Sequence, residues 1–449
     1  MRKILLVFLV GILVFSSIGA GAVIKSKEKN ENYDMVVIAP IGFYLPVQRL
    51  VNHKSNHDVQ TVFKSTQSIY RQFHGRDDAE SIKFFIKDAI EKWDVKYVLL
   101  IGGRSNLYPK WNIPVRYVLL DDDTDRYTTF YSDHYYSDIY KENGEFEDWD
   151  SNGDDVIAEW GKDQMDMHPD VCVGRLPCRN MLEARVVVKK IIDYENNAYG
   201  QEWFNRLVLI GGDTFTQTPG YEGEETCDYA AEFMDGFEKI KLYTSTGNLT
   251  DHEDATEAIN NGCGFLFTRG KGGQDRLRTS LPEGEEIIVF HNKYVKDYKN
   301  KDMYPVCILG ECIHAKIDVA LINFLKLNKG EPNIFEQDCI YECIAWKLVN
   351  KKDGGAIAVL TNTNICYGTS GDINGNGIPD DAEIFGGKLA VDVLRLYGEE
   401  EIGVLGDIHC QTVKEYVEGF PVSSNKYHCK SALEWILIGD PSLKIGGYE

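Results

Sequence analysis

The feature that most constrains this chain is a recurring unit: a short, wholly apolar run, a glycine turn, then a stretch with apolar residues at helical spacing. Met35-Val36-Val37-Ile38-Ala39 offers no side chain to water, so it reads as a strand covered on both faces. Residues 95–102 form a second such run and follow a helical stretch over 80–93. A short strand at 171–176 precedes a helix at 183–199. Near Phe204 the cycle restarts, and Leu207-Val208-Leu209-Ile210-Gly211-Gly212 echoes Leu99-Leu100-Ile101-Gly102-Gly103. Further strands are expected at 239–244, 264–268, 304–309 and 355–360, with helices at 227–237, 335–348 and 388–397. The chain closes on the apolar run Trp435-Ile436-Leu437-Ile438. This alternation is the mark of an α/β fold with mainly parallel sheets. The echo predicts two subdomains, 34–203 and 204–449. Neither glycine pair completes GxGxxG, so both read as strand-to-helix turns rather than phosphate cradles.

The first residues read as an export signal. Met1-Arg2-Lys3 is basic, 4–18 is almost entirely apolar, and Ala20-Gly21-Ala22 fits the small-x-small cleavage pattern. A signal peptide at 1–22 and a polar linker at 23–33 are expected, placing the protein outside the cell or on its surface. The apolar run is shorter than the roughly 20 residues a membrane helix needs. No later segment looks transmembrane, so no span is expected in the mature chain. A net charge of −22 repels phosphate backbones and argues against nucleic acid as a partner. The chain has 11 cysteines, so pairing within one chain leaves at least one thiol free. No CxxC pair suggests a structural zinc site. Cys263, Cys307 and Cys366 lie in apolar, strand-like runs and read as core thiols.

Two acidic loops have the spacing of calcium sites. Asp372, Asn374, Asn376, Asp380 and Glu383 fall at positions 1, 3, 5, 9 and 12 of a twelve-residue loop. Gly377 sits at position 6, where the chain must turn sharply, and Ile378 offers its carbonyl at position 7. Asp148, Asp150, Asn152 and Glu159 form a looser version, with Gly153 at position 6 and Val156 at position 9. One or two structural Ca²⁺ ions are therefore expected, since a hard cation of this size takes six to eight oxygens.

The candidate chemistry lies at two strand ends. Tyr304-Pro-Val-Cys-Ile-Leu309 runs into Gly310-Glu311-Cys312, which exposes a thiol at a glycine turn with backbone N–H groups beside it. Upstream, Gly264-Phe-Leu-Phe-Thr268 runs into Arg269-Gly270-Lys271-Gly272-Gly273. A parallel sheet sets such ends side by side at its carboxyl edge, where α/β sites form.

This pair resembles the two catalytic motifs of the gingipain-type cysteine peptidases, relatives of the caspases. The stretch at 170–176, the Tyr-rich segment near 131–140, the loop around 150–159 and the closing Ile438-Gly-Asp-Pro-Ser-Leu443 also resemble that family, in the same order. The resemblance implies a caspase-like α/β sandwich, bound calcium, and endopeptidase action on a peptide or protein substrate. By position it makes Cys312 the nucleophile and the N–H groups of Gly272 and Cys312 the oxyanion hole.

The chain departs from the pattern where the family has its catalytic histidine, because Lys271 stands there. A histidine titrates near 6.5 and can protonate a leaving amine at neutral pH; an ordinary lysine, near 10.4, is a poor acid there. Three readings follow. Burial depresses Lys271 and gives a Lys–Cys dyad; His314 or His291 takes the histidine's place; or the cleft binds without cutting, as in a pseudoenzyme. Glu311 offers a carboxylate to a basic substrate side chain, or to Arg269 or Lys271. Arg269, Lys271, Arg276 and Arg278 make a basic cluster in an acidic protein.

Overall fold

A computed structural model describes residues 32–104, 110–120, 129–318 and 340–449. The expected signal peptide, nearly all of the linker, and the first part of the helix expected at 335–348 (with Cys339) lie outside them. Ten strands form one sheet, nine of them at expected runs and one, Thr61–Ser65, not expected. In chain order they are β1 Met35–Ala39, β2 Thr61–Ser65, β3 Tyr97–Ile101, β4 Cys172–Leu176 and β5 Arg206–Gly211. Then come β6 Glu238–Tyr243, β7 Phe265–Thr268, β8 Val306–Leu309, β9 Ala358–Asn362 and β10 Trp435–Ile438. Their order across the sheet is β2-β1-β3-β4-β10-β9-β8-β7-β5-β6. Every neighbouring pair is parallel except β9 with β10. Strands from before residue 204 fill one end, strands from after it fill the other, and β10 joins β4 to β9.

The apolar runs became strands for the reason that marked them. Helices cover both faces, so all five residues of β1 are fully buried. The helix Asp78–Trp93 buries Ile82, Phe85, Ile86 and Ala89 along one stripe and is capped by Asp77, whose side chain accepts the Glu80 N–H. The helix expected at 227–237 instead spans Glu222–Glu232 and carries Glu222, Glu224 and Glu225 in its first turn. Acidic side chains there complement the positive end of the helix dipole. Two long helices were not anticipated: Tyr44–Ser55, with Pro46 tolerated in its first turn, and Leu405–Gly419. The segment between β7 and β8 holds no strand-crossing helix but a small antiparallel sheet: Lys271–Gly273, Arg276–Ser280 and Glu286–His291.

Buried charges tie distant parts of the sequence together. Arg175 in β4 is fully buried, paired to Asp133 at 2.6 and 2.7 Å, and also donates to the carbonyl of Gly102 at 3.1 Å. Lys54 pairs with Glu195 at 2.7 Å and with Asp440, just past β10, at 2.9 Å. Losing one partner of such a pair strands a charge in low dielectric, typically at about 3–5 kcal/mol. The runs at 170–176 and 438–443 thus serve to lock the sheet. Among the described residues no helix is long and apolar enough to cross a membrane.

Candidate active site

β7, β8 and β9 are neighbours in register, with Thr268 opposite Leu309 and Leu309 opposite Thr361. The loops that leave them therefore start side by side at one edge of the sheet. Gly272 lies directly on the Cys312 turn: a Cβ there would stand 2.3 Å from the Cys312 carbonyl oxygen and 2.5 Å from its nitrogen. Only glycine lets the two motifs pack this closely.

Cys312 is half-buried, and its Sγ lies 3.7 Å from that of Cys366, which arrives on the loop after β9. As a thiol Cys312 donates to the Cys366 carbonyl oxygen at 3.4 Å. As a thiolate it accepts from the Cys366 S–H. That hydrogen bond is the main reason its pKa falls to about 7; the charges of Lys430 and Arg269 help, and burial opposes. The same contact pushes Cys366 well above the ordinary thiol range, so the first charge settles on Cys312. Cys263 and Cys307 are core thiols as expected, but Cys366 is not: it is half-buried and lines the cleft. Its position just past a strand end, the same pattern as Cys312, was the signal that could have found it.

The cleft encloses about 260 Å³, with Phe215, Glu222, Lys271, Cys312, Cys366 and Tyr367 among its walls. Lys271 is about one-third exposed, and its Nζ is 3.8 Å from Glu286. Among the described residues that line the cleft there is no histidine. The His314 ring is fully buried; its Nε2 lies 3.1 Å from the Arg276 carbonyl oxygen and its Nδ1 3.6 Å from Glu311. Burial lowers its pKa to about 4. His291 meets Asp275 at 3.3 Å, on the last strand of the small sheet, and burial lowers its pKa as well.

Glu311 offers no open carboxylate. It is 2% exposed and accepts the Thr268 hydroxyl at 2.8 Å, and burial raises its pKa to about 8, so the acid is largely neutral at pH 7. The basic cluster resolves into pairs. Arg269 is buried, grips Asp381 at 2.6 and 2.7 Å and donates to the Gly310 carbonyl. Arg276 pairs with Asp275 at 2.7 Å and Arg278 with Glu286 at 3.0 Å.

The loop from Asp372 to Glu383 curls as its spacing implied. Asp372 accepts the N–H of Asn376 at 3.1 Å and of Gly377 at 2.9 Å, and Gly377 has a left-handed φ of 83°. The amides of Asn374 and Asn376 both reach Glu383 at 2.8 Å, while Asp380 accepts the Ile373 N–H at 3.1 Å. Positions 1, 3, 5 and 12 thus converge. The donor set fits Ca²⁺ once the two amides turn their oxygens inward and the Ile378 carbonyl joins them. Among the described residues no group of three or more His, Cys, Asp or Glu gathers as a metal site, so such a set depends on those amide and carbonyl oxygens.

The looser loop is arranged differently. Arg76 contacts both Asp148 and Asp150, and Asp150 also accepts the Gly153 and Asp154 N–H groups at 3.0 and 3.1 Å. Asn152 turns to Asp154, and Glu159 pairs with Lys162 at 2.8 Å. A guanidinium supplies positive charge to Asp148 and Asp150 there.

No curated protein matches the sequence. Solved structures do match. The complex of Porphyromonas gingivalis RgpB pro- and mature domains is similar at 17% identity and a TM-score of 0.62, over 92% of this chain and 79% of that one. The crystal structure of the Arg-specific cysteine proteinase gingipain R is similar at 18% identity and a TM-score of 0.62, over 93% and 79%. A structure described as a protease shares 14% identity at a TM-score of 0.61. These likenesses show the fold, a caspase-like α/β architecture with a large, mainly parallel sheet. The model of peptidase family C25 matches residues 28–446, nearly the whole chain, and the protein belongs to that family, the gingipain family of cysteine peptidases.

Proposed function

We propose that this protein is an exported, calcium-stabilised cysteine endopeptidase in which Cys312 attacks the carbonyl of a peptide bond. The observation that carries the reading is the Cys312 thiol itself: half-buried at a cleft, with its pKa drawn down to about 7 by Cys366. Near neutral pH about half of such a group is thiolate, the nucleophilic form. Attack would convert the carbonyl oxygen to an oxyanion beside the backbone N–H groups of Cys312 and Gly272, which the tight Gly272 contact holds together. Among the described residues the Cys312 N–H donates to no backbone carbonyl, which leaves it available. Lys271 supplies a positive charge in the same cleft and is the one side chain at the family's acid position.

Calcium, in this reading, sits at Asp372, Asn374, Asn376, Ile378, Asp380 and Glu383. Its role is mechanical. Asp381, next to Asp380, holds Arg269, and Arg269 holds the Gly310 carbonyl two residues before Cys312. A cation that stiffens the loop stiffens the nucleophile's turn.

One observation favours a second reading, a surface protein that binds peptides without cutting them: Lys271 replaces the histidine and no histidine lines the cleft among the described residues. The test is labelling of the calcium-loaded mature protein with peptidyl acyloxymethyl ketones bearing Arg, Lys, Asp or Asn beside the reactive group. Labelling that disappears in Cys312→Ala is the expected result. A folded protein that no probe labels would establish the binding reading instead.

A further inference from the structure

The Cys312–Cys366 contact has a consequence beyond the nucleophile's ionisation. The two sulfurs are 3.7 Å apart, in van der Waals contact, and both line the same open cleft. They sit on loops leaving adjacent parallel strands, β8 and β9, whose register places Leu309 opposite Thr361. The loops are pinned to each other nearby: the Ile313 N–H donates to the Asn364 carbonyl oxygen at 2.7 Å, and the Cys366 thiol lies 3.6 Å from the Gly310 carbonyl oxygen. A disulfide needs sulfurs about 2.05 Å apart, with Cα atoms typically about 4.4–6.8 Å apart. Loops already joined on either side of the pair need only small side-chain rotations to close that gap. Cys263 and Cys307, by contrast, are sealed in the core.

We propose that Cys312 and Cys366 form an oxidative modification site, a reversible intrachain disulfide that hydrogen peroxide makes and a thiol reductant breaks. The Cys312 thiolate attacks one peroxide oxygen, the O–O bond breaks, and hydroxide leaves as water after taking a proton; Cys312 becomes a sulfenic acid. The Cys366 sulfur then attacks the Cys312 sulfur, the S–O bond breaks, and a second water departs with the Cys366 proton. Two thiols and one peroxide give one disulfide and two waters. Cys366 acts as the resolving cysteine, which spares Cys312 further oxidation to the sulfinic acid, a form thiol reductants do not reverse. The bond itself depends only on this geometry; its consequence, a cleft without a nucleophile, rests on the endopeptidase reading.

The test is peptide mapping of the folded, full-length mature protein. It is exposed to a few equivalents of hydrogen peroxide, alkylated without reduction, digested and analysed by mass spectrometry. A cross-linked pair of peptides carrying Cys312 and Cys366, two mass units lighter than the two thiol peptides together and lost on treatment with dithiothreitol, is expected. Acyloxymethyl ketone labelling should fall with the same dose dependence and return with dithiothreitol. Cys366→Ser should keep an alkylatable Cys312 before oxidation but give sulfinic acid at Cys312 after it, with no recovery. Wild-type protein in which peroxide takes Cys312 to the sulfinic acid while Cys366 stays alkylatable would overturn the proposal, and so would peroxide that leaves both alkylatable. Because the cross-link is read by mass, it stands or falls whether or not the protein cuts peptides.

Discussion

Gly272→Ala tests whether the close packing of the two turns is what assembles the site. A methyl group there would lie 2.3 Å from the Cys312 carbonyl oxygen and 2.5 Å from its nitrogen, against 3.4 Å or more for ordinary contact. Both of those atoms belong to backbone, which has no flexible tip to swing away. The turns must separate by at least about 1 Å, and displacements of that size typically lower reactivity at a preorganised centre by about 10²-fold. Overpacking should also cost about 1–3 kcal/mol of stability. The assay is the second-order rate of Cys312 labelling by the best acyloxymethyl ketone, alongside a thermal melt. A labelling rate reduced about 10²-fold with the melt lowered by only a few degrees is expected. A folded variant that labels at the wild-type rate and melts at the wild-type temperature would refute the argument that this contact holds the site together.

Lys271→His restores a side chain with an ordinary pKa near 6.5 and should raise peptide hydrolysis by up to roughly 10²–10⁴-fold, the usual worth of a matched acid; a folded variant with no gain would show a cleft remodelled beyond that one exchange. EDTA should lower the melting temperature and Ca²⁺ restore it, by about 2.7 kcal/mol of stability at a hundredfold excess over Kd. Glu383→Gln should blunt that response, and an unchanged melt under chelation would remove calcium from the 372–383 loop. Iodoacetamide alkylation of Cys312 should rise through a midpoint near pH 7 and level off above it, because its pKa is depressed and the thiolate is the reactive form. Cys366→Ala should move that midpoint up toward about 8.5; a midpoint that stays near 7 would show that Cys366 is not the cause.

Much of the frame was legible because local composition and tertiary role agree. The β1 and β8 runs are wholly apolar, and β3 and β5 are apolar after Tyr97 and Arg206 at their starts, since both faces of a central parallel strand are covered. The strand ends beside Cys312 and Gly272 followed from that, because parallel neighbours finish at one edge. The small sheet at 271–291 escaped notice since Lys271, Arg276 and Arg278 alternate with small or apolar residues too briefly to signal a period of two. The basic cluster resolves into ion pairs that local sequence does not show. Arg269 finds Asp381, and Arg278 finds Glu286, only in three dimensions, and the sequence shows charges but not their partners. Cys366 and Cys307 sit in similar local sequence; only one lies past its strand end, and that one residue-level distinction separates a cleft thiol from a core thiol. The Asp148 loop fits its template loosely, and its Asp148 and Asp150 meet Arg76, which lies far away in the chain.

The exchange of the family's histidine divides the chemistry in a way that a choice of substrate can expose. Making the nucleophile needs Cys366, Lys430 and Arg269 near Cys312, all of which are in place. On the peptidase reading, holding the oxyanion falls to the backbone N–H groups of Gly272 and Cys312, whose backbones pack against each other. Expelling an amine from the tetrahedral intermediate needs a proton delivered to nitrogen, and on the same reading that step alone falls to Lys271. An activated ester makes no such demand, because a nitrophenolate leaves as a stable anion. The protein should therefore cleave a peptidyl nitrophenyl ester, dependent on Cys312, far more readily than the matching amide. Lys271→His should close that gap by raising the amide rate up to roughly 10²–10⁴-fold while moving the ester rate little. If the variant raises both rates equally, Lys271 acts on binding or on the thiolate rather than on the leaving group. If the wild type cleaves neither substrate, with Cys312 still alkylated at a midpoint near pH 7, the nucleophile is intact and it is substrate positioning that has been lost.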